Sequence, residues 1–382
     1  MHDVIVIGGG PAGNKAAALL ADEYDVLVIE EHAVSGRPVQ CTGLVSDEVI
    51  ELSNVRPTVI NELYGANIIF PNGKTISVRS KERKAVLIDR YEFDTLMYEN
   101  AKKAGAEHLF STRYGSHETY ENEVRIRTNN GELSASMIVG ADGQNSGTAR
   151  SITDNGPAEY VRGIQLDVDH RMDDQDMIDI RIGSEVAPGF FSWEIPFGDT
   201  TRIGLCTSRD SGPPSEYLKT LLKRTGLDDR KVIGKYCGKI PIGGRRSTYA
   251  ERMLLIGDAA GHVKPISGGG LQPAFRSSYA AAETIREAFD ENNFSKEFLS
   301  VYEKRWKKDI GKELNRGYRL RRMFLSMNDD ELNKVHGIIN KERIKEELNS
   351  GSVDHPSDML LSMIRHPVTI LRLAPFLLRM IS

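Results

Sequence analysis

The first thirty residues change hydrophobic period twice. Residues 3–7, DVIVI, are nearly continuous in apolar character and predict a buried strand. From residue 11 to about 22 the apolar positions take helical spacing, with Pro11 in the first turn, where a helix tolerates it. Residues 25–30 return to an apolar run and predict a second strand. Residues 66–79, ANIIFPNGKTISVR, alternate on either side of Pro71, Asn72 and Gly73 and read as a β-hairpin. Residues 91–104 carry an amphipathic helical pattern that Gly105 ends as a C-cap glycine. Residues 123–139 are strands again, turning at Asn129, Asn130 and Gly131.

From about 158 to 245 the chain is mostly strand and turn, with a short helix near 214–225. A buried strand at 252–256 leads into a long helix over about 270–290, and the rest is helical and highly charged. No internal repeat or low-complexity tract interrupts this order. The pattern predicts an α/β protein. A Rossmann-like nucleotide-binding domain is assembled from discontinuous segments (1–65, 84–157 and 250–295). A β-rich domain (66–83 and 158–249) is inserted into it, and a helical C-terminal region (296–382) follows.

One stretch fits neither pattern without comment. Residues 188–199, PGFFSWEIPFGD, hold one of the two tryptophans of the chain. On a strand, Phe191, Trp193 and Ile195 share one face while Ser192 and Glu194 share the other. Such an apolar face either fills a sheet core or lines a pocket for an apolar ligand.

Composition narrows the class. At 382 residues the chain exceeds what one hydrophobic core comfortably supports, so two domains are expected. Its 40% hydrophobic and 27% charged residues are those of a globular protein, and a net charge of −4 gives no field that would attract nucleic acid. Cys41, Cys206 and Cys237 are far apart and fit neither a disulfide framework nor a metal-ligand spacing. Together with a first strand that starts at once and the lack of any run of about 18 apolar residues, this predicts a cytoplasmic protein, soluble or at most surface-bound.

The segment VIGGGPAG places Gly8, Gly10 and Gly13 in GxGxxG spacing, with Ala12 among them, between a strand and a helix. Glycines there let the backbone approach a pyrophosphate held at a helix N-terminus. Glu30, seventeen positions beyond Gly13 at the end of the next strand, is placed to accept hydrogen bonds from an adenosine ribose. Two further blocks go beyond a single nucleotide unit: VGADGQNSGTAR (139–150) and LLIGDAAGHVKPISGGG (254–270). No second GxGxxG marks a separate NAD(P) domain.

With these blocks in this order the chain resembles flavoproteins of the p-hydroxybenzoate hydroxylase fold, and the resemblance implies FAD. It implies that Asp142 and Gly143 of the middle block contact the dinucleotide, and that Gly257 and Asp258 bind the ribityl side. Pro265, Gly268, Gly269 and Gly270 would face the pyrimidine edge of the flavin. Arg90, in VLIDRYEFDTLM (86–97), matches the family's arginine segment. Glu31, Arg37 and Cys41 complete the implied cofactor contacts. His262 is expected to be a loop histidine satisfied by backbone.

Within that fold, GRPVQCTGLVS (36–46) and PGFFSWEIP (188–196) resemble the geranylgeranyl reductase family, which saturates double bonds of isoprenoid chains. Pro188, Phe191, Trp193, Ile195 and Pro196 fill its P-x-x-[YF]-x-W-x-[FI]-P motif, with CTGLVS standing where many members have a CGEGLS-like run. The resemblance implies an isoprenoid lipid substrate, an archaeal phospholipid precursor among the candidates, lined by Phe191, Trp193 and Ile195. Cys41 is the catalytic candidate, as proton donor or gate. The electron donor stays open between NADPH and a ferredoxin-type protein. A monooxygenase or halogenase of the same fold and a quinone-linked dehydrogenase are the competing readings. Finally, Arg365, Arg372 and Arg379 recur every seven residues in RHPVTILRLAPFLLRMI (365–381), the composition of an interfacial helix or of one docked on the protein.

Overall fold

The computed structural model describes residues 1–152, 156–340, 346, 348–349 and 351–362. The predicted interfacial stretch at 365–381 lies outside the described residues. The apolar run at the start forms β1 (His2–Ile7), followed by α1 (Pro11–Leu20) and β2 (Val26–Ile29). Then come β3 (Leu44–Val45), α2 (Asp47–Ser53), β4 (Val59–Leu63), β5 (Gly65–Ile69), β6 (Thr75–Arg79), β7 (Ala85–Ile88) and α3 (Arg90–Lys103). The chain continues through β8 (Glu107–Leu109), β9 (Tyr114–Thr119), β10 (Val124–Thr128), β11 (Gly131–Gly140) and α4 (Gly147–Ile152).

The strand-rich stretch supplies β12 (Glu159–Val168), β13 (Met177–Arg181), β14 (Ser192–Phe197), β15 (Thr200–Ser208), α5 (Pro214–Thr225) and β16 (Val232–Ile242). After β17 (Tyr249–Ala250), β18 (Met253–Leu255) and α6 (Gly257–Ala260), the elements among the described residues are helices. They are α7 (Leu271–Asp290), α8 (Lys296–Trp306), α9 (Lys312–Leu325), α10 (Asp329–Ile339) and α11 (Pro356–Ser362). A π-helical turn, Lys307–Gly311, joins α8 to α9 without a break.

Among the described residues the strands form three sheets. The first has a parallel centre in the order β18-β11-β1-β2-β8, with β17 on its edge and the β9–β10 hairpin extending β11. Strands of a parallel sheet are covered on both faces, and Val4, Ile5, Val6 and Ile7 are accordingly buried in β1. One face packs against α1 and α7, with Ala16, Ala17, Ala281 and Ala282 letting the helices approach closely. The second sheet runs β16-β12-β15-β14-β13-β5-β6 and is antiparallel except between β13 and β5. The hairpin predicted at 66–79 therefore pairs with β13 at the edge of this sheet. A short sheet β3-β7-β4 lies in the third position, and its core cluster with β14 includes Leu63, Leu87 and Ile195.

The helix α3 shows how local chemistry sets the site. Phe93, Met97 and Ala101, four apart, are its buried stripe. Asp89 caps its start by accepting hydrogen bonds from the backbone N–H groups of Tyr91 (2.8 Å) and Glu92 (3.2 Å). The next residue, Arg90, is thereby fixed at the first turn. Asp89→Ala should lower stability by about 1 kcal/mol, read as a lower urea midpoint at unchanged slope; an unchanged midpoint would show that the cap does not hold this helix.

Candidate cofactor and substrate site

Three distant glycine-rich segments meet where backbone touches backbone. A Cβ on Gly13 would stand 1.9 Å from the Gly8 carbonyl oxygen, and one on Gly8 would stand 2.4 Å from that of Ala141. Gly8 also has a φ of +106°, which favours glycine. On the other side, a Cβ on Gly257 would come within 3.0 Å of Ala12, and one on Gly270 within 3.0 Å of the Asp258 carboxylate. The blocks predicted at 8–13, 139–150 and 254–270 thus converge on one place. Gly10 caps α1 and Gly270 caps α7, and neither helix start is closed by a side chain. Two helix N-termini with open backbone N–H groups face this junction, a favourable setting for phosphate or other negative charge.

The acidic residues sort into two kinds. Glu30 accepts from the Gly9 amide at 2.8 Å with one oxygen and from the His32 amide at 2.9 Å with the other, holding the end of β2 against the glycine turn. Asp142, expected at the dinucleotide, spends its oxygens within its own loop. It accepts from the Ser146 hydroxyl (2.6 Å) and from the Thr148 hydroxyl (2.6 Å) and amide (2.9 Å), which shapes the turn after β11. Gly143, beside it, has a φ of +68° with no heavy atom within 4 Å of a Cβ built there, so it leaves that turn open. Asp258 is different: burial pushes its carboxyl up to about 6, with Arg90 pulling the other way. Glu31 and Arg37 are exposed, and the Arg37 guanidinium lies 4.5 Å over the Tyr91 ring.

Arg90 is enclosed and paired. Its guanidinium donates to Asp94 at 2.9 Å and also contacts the Cys41 thiol. Burial opposes its charge, but Asp94 and Cys41 outweigh that and hold it protonated. Cys41 itself is half-buried, and the Gly43 amide points at its sulfur at 3.5 Å. Gly43 carries a φ of +85°, and a Cβ there would meet the Ile88 carbonyl oxygen at 2.4 Å. The cysteine loop is therefore pressed against the start of α3.

The aromatic stretch divides its work. Phe190, not singled out in the sequence, is 2% exposed and forms the core beside Val161, Cys206, Ile242 and Val263. Phe191 stacks on Phe190 at 4.4 Å between centroids and meets Trp193 edge-on at 6.1 Å, and both remain half-buried. Ile195 departs from the expected shared wall. It is 2% exposed and packs with Leu63, Ala85 and Leu87, because β14 crosses the second sheet toward the short one. Trp193 touches both clusters, lies across Gly204, and donates its indole N–H to Gln165 at 3.1 Å. The glycine-rich loop closes on the same place: a Cβ on Gly268 would sit 3.0 Å from Ile240 and 3.3 Å from Phe190.

Several residues of this arrangement carry no local sequence signal. Gln144 donates to Gln40 at 3.0 Å and accepts from the Lys239 amide at 2.8 Å, tying the cysteine loop to β16. Arg202 and Asp167 form a buried pair that also reaches this loop. Lys264, inside the last glycine block, is buried against Asp354 at 2.8 Å, so the segment before α11 braces the loop that ends in Gly270. Pro265 packs against Gly317 of α9, and a Cβ on Gly269 would come within 3.0 Å of the Lys264 stem. His262 is fully buried against Trp306 (4.4 Å), and among the described residues neither ring nitrogen has a hydrogen-bond partner. The expected backbone partner is absent, and burial pushes the ring down to about 3, so it stays neutral.

The family model for lycopene cyclase proteins matches residues 3–340 of the chain. An uncharacterized protein of Methanocaldococcus jannaschii is 30% identical, covering 95% of each chain. The digeranylgeranylglycerophospholipid reductase 2 of Methanothermobacter thermautotrophicus is 31% identical over 87% of this chain and 90% of its own. Among solved structures, the geranylgeranyl bacteriochlorophyll reductase-like protein of Thermoplasma acidophilum superposes with a TM-score of 0.84 at 24% identity, over 98% of this chain and 99% of that one. A point mutant of the halogenase PltM in complex with FAD gives a TM-score of 0.67 at 17% identity, over 96% of this chain and 87% of that one. The fold shared with the halogenase is common to both chemistries and does not choose between them.

The elevated carboxyl of Asp258 yields a pH test on the cofactor-free protein. Its ionised form is disfavoured in the fold, so wild type loses stability as pH rises from the unfolded value near 4 to about 6. Asp258→Asn should escape that loss. The variant should be more stable at pH 7 by at most roughly 3 kcal/mol, less where solvent reaches the carboxyl, with the gain vanishing at pH 4. A gain independent of pH would show that the carboxyl ionises freely.

Proposed function

The chain belongs to the geranylgeranyl reductase family, matching the lycopene cyclase protein model across its body, and we propose that it saturates carbon–carbon double bonds of geranylgeranyl chains carried by membrane phospholipid precursors. It is an FAD-dependent oxidoreductase acting on CH–CH groups. The observation that carries the substrate assignment is the abutment of an apolar aromatic face, Phe190 to Trp193, on the glycine-rich loop at Gly268.

The residues present fit FAD. Gly8, Gly13 and Gly257 let the three segments close up where any Cβ would collide, which brings the open starts of α1 and α7 together, and these favour the pyrophosphate and the pyrimidine edge. Gly8, Gly10, Ala12 and Gly13 would hold the pyrophosphate, Glu30 the ribose, and Asp258 with Gly268 to Gly270 the flavin end. The chemistry that FAD supplies when bound and reduced is a hydride equivalent for one alkene carbon.

Everything else falls to the chain. The second carbon needs a proton, and an electron-rich alkene accepts hydride poorly unless protonation is early or concerted and water is kept out. Phe191 and Trp193 would exclude water and hold the chain without fixing its register. Burying ten isoprenoid carbons is worth roughly 8 kcal/mol gross, and such non-directional binding lets successive double bonds slide into place. Cys41 would hold the proton at its sulfur. The thiolate left after transfer would lie against the Arg90 guanidinium, a fixed positive charge.

Trp193→Ala should lower kcat/KM for a geranylgeranylated lipid by roughly ten- to a hundredfold while the protein keeps its flavin absorbance. Loss of flavin before loss of turnover would place Trp193 in the core alone. For the activity itself, the anaerobically reduced holoprotein is mixed with geranylgeranylated glycerophospholipid and the lipid is weighed by mass spectrometry. Gains of two hydrogens per double bond are expected. Flavin that stays reduced beside lipid of unchanged mass would overturn the proposal, and substrate-stimulated oxygen uptake would point to the monooxygenase chemistry instead.

A further inference from the structure

We infer that Arg202, on the second sheet, is the positioning residue for the Cys41 thiol. The inference deepens the reading of Cys41 given above and rests on it for its functional meaning. The geometry begins with the strand register. Asp167 on β12 stands directly opposite Arg202 on β15. Cross-strand neighbours of this kind sit close enough for side chains to meet. Here the guanidinium uses Nε and Nη2 to donate to the two carboxylate oxygens, each at 2.8 Å. The pair is bidentate and enclosed, with Arg202 4% and Asp167 6% exposed.

A planar guanidinium that is locked on one edge still has its other donors to satisfy. Nη1 of Arg202 points out of the sheet and donates to the carbonyl oxygen of Thr42 at 2.5 Å. Thr42 is the residue after Cys41, and the contact spans 160 positions of chain. The Arg202 plane is itself held by the Phe197 ring at 3.8 Å and the Tyr236 ring at 5.5 Å, and the Tyr236 hydroxyl donates to Asp167 at 3.2 Å. Every degree of freedom of the donor is thus used before it reaches the loop.

The loop, for its part, is gripped on three consecutive groups. Arg202 takes the Thr42 carbonyl, the Ile88 amide takes the Gly43 carbonyl at 2.9 Å, and the Gly43 amide points back at the Cys41 sulfur. Gly43 has no side chain to push these apart, and a Cβ there would lie 3.6 Å from both the Arg202 Nη1 and the Arg90 Cγ. Arg90, at the start of α3, holds the sulfur from one side, and Arg202, on the second sheet, holds the peptide beside it from the other. The thiol is consequently set by a residue of the sheet that bears Phe191 and Trp193, and Phe197 of the same strand β14 stacks on that residue.

Thiol labelling tests this without using catalysis. The chain has three cysteines in three settings: Cys41 half-buried, Cys206 buried, Cys237 exposed. In the holoprotein Cys206 reports general loosening, because burial holds its thiol up at about 12 and out of reach of reagent. Arg202→Met and the isosteric Asp167→Asn are treated with an aromatic disulfide reagent, and labelled peptides are quantified by mass spectrometry. Arg202→Met should speed labelling of Cys41 by roughly tenfold or more, as a local opening does, with Cys206 still protected and Cys237 unchanged. Asp167→Asn, which keeps the guanidinium but loosens its grip, should give a smaller rise in the same direction. Cys41 labelling at the wild-type rate in both variants would overturn the inference, and so would a parallel rise at Cys206. The reading of Cys41 fails separately: Cys41→Ala turning over lipid at the wild-type rate would remove its catalytic role and leave the labelling result standing.

Discussion

Three segments separated by more than a hundred residues share one point in this fold because no side chain stands there. A Cβ on Gly13 would stand 1.9 Å from the Gly8 carbonyl oxygen and one on Gly8 2.4 Å from that of Ala141, so the turn after β1 cannot gain a methyl group at either position without parting from its neighbours. That single close approach sets the direction of α1, and α1 in turn fixes α7, whose Ser278 hydroxyl reaches the Ala12 carbonyl at 3.3 Å. The two helix starts then stand beside each other with open N–H groups. Partial positive charge at both helix starts favours negatively charged groups there, which is the arrangement the proposed placement of the pyrophosphate and the reduced ring would use.

A second constraint anchors the loops of the site to the fold. Among the described residues the sheets share no strand; apolar side chains such as Leu63, Leu87 and Ile195 pack between the short sheet and the second, and buried ion pairs hold the segments around them. Arg202 with Asp167, Lys264 with Asp354 and Arg321 with Glu159 are each buried on at least one side of the pair. Breaking one partner of a buried pair costs about 3–5 kcal/mol because the other charge is stranded. Pairs of this kind add little net stability compared with apolar packing, but they tolerate only one arrangement. The cysteine loop, the glycine-rich loop and Phe190 are each attached to one of them, the last through Arg321 lying 5.3 Å over its ring. The helical region after residue 296 is thereby part of the site's frame, since both Arg321 and Gly317 belong to α9.

Much of the fold was legible from period alone. The strands at 3–7 and 25–30, the hairpin at 66–79, the helix at 214–225 and the long helix near 270–290 appear within a residue or two of their predicted bounds. So was the meeting of the glycine blocks, because each has a backbone requirement that glycine alone meets. The ion pairs were not legible. Arg202 reads as one charge in an apolar strand, and nothing near it names Asp167 or Thr42, which are brought to it by register and by a loop 160 positions away. The internal bonds of Asp142 were not legible for a related reason: an acid after a strand serves a ligand or its own turn equally well in sequence, and only the structure shows Ser146 and Thr148 bonded to it. Ile195 followed the alternation correctly but met a different cluster, because period gives the face and not the neighbour.

The aromatic stretch is part buried core and part half-buried surface. Phe190 takes the interior, at 2% exposed, and leaves Phe191 and Trp193 half-buried beside it. The indole lies flat over Gly204, where a Cβ would come within 2.7 Å of it, and its N–H is already satisfied by Gln165. A tryptophan whose one face rests on the sheet and whose polar atom is paired has an apolar face left to offer. Here the neighbours on that side include Ile240 and Phe190, which themselves confront Gly268 of the glycine-rich loop. An apolar chain lying between would therefore lose water to the sheet on one side and to the loop on the other. The Gln165 amide oxygen beside the ring already accepts from the indole N–H. If this face binds the substrate as proposed, a preference for hydrocarbon would follow from the pairing of the indole N–H as much as from the aromatic rings themselves.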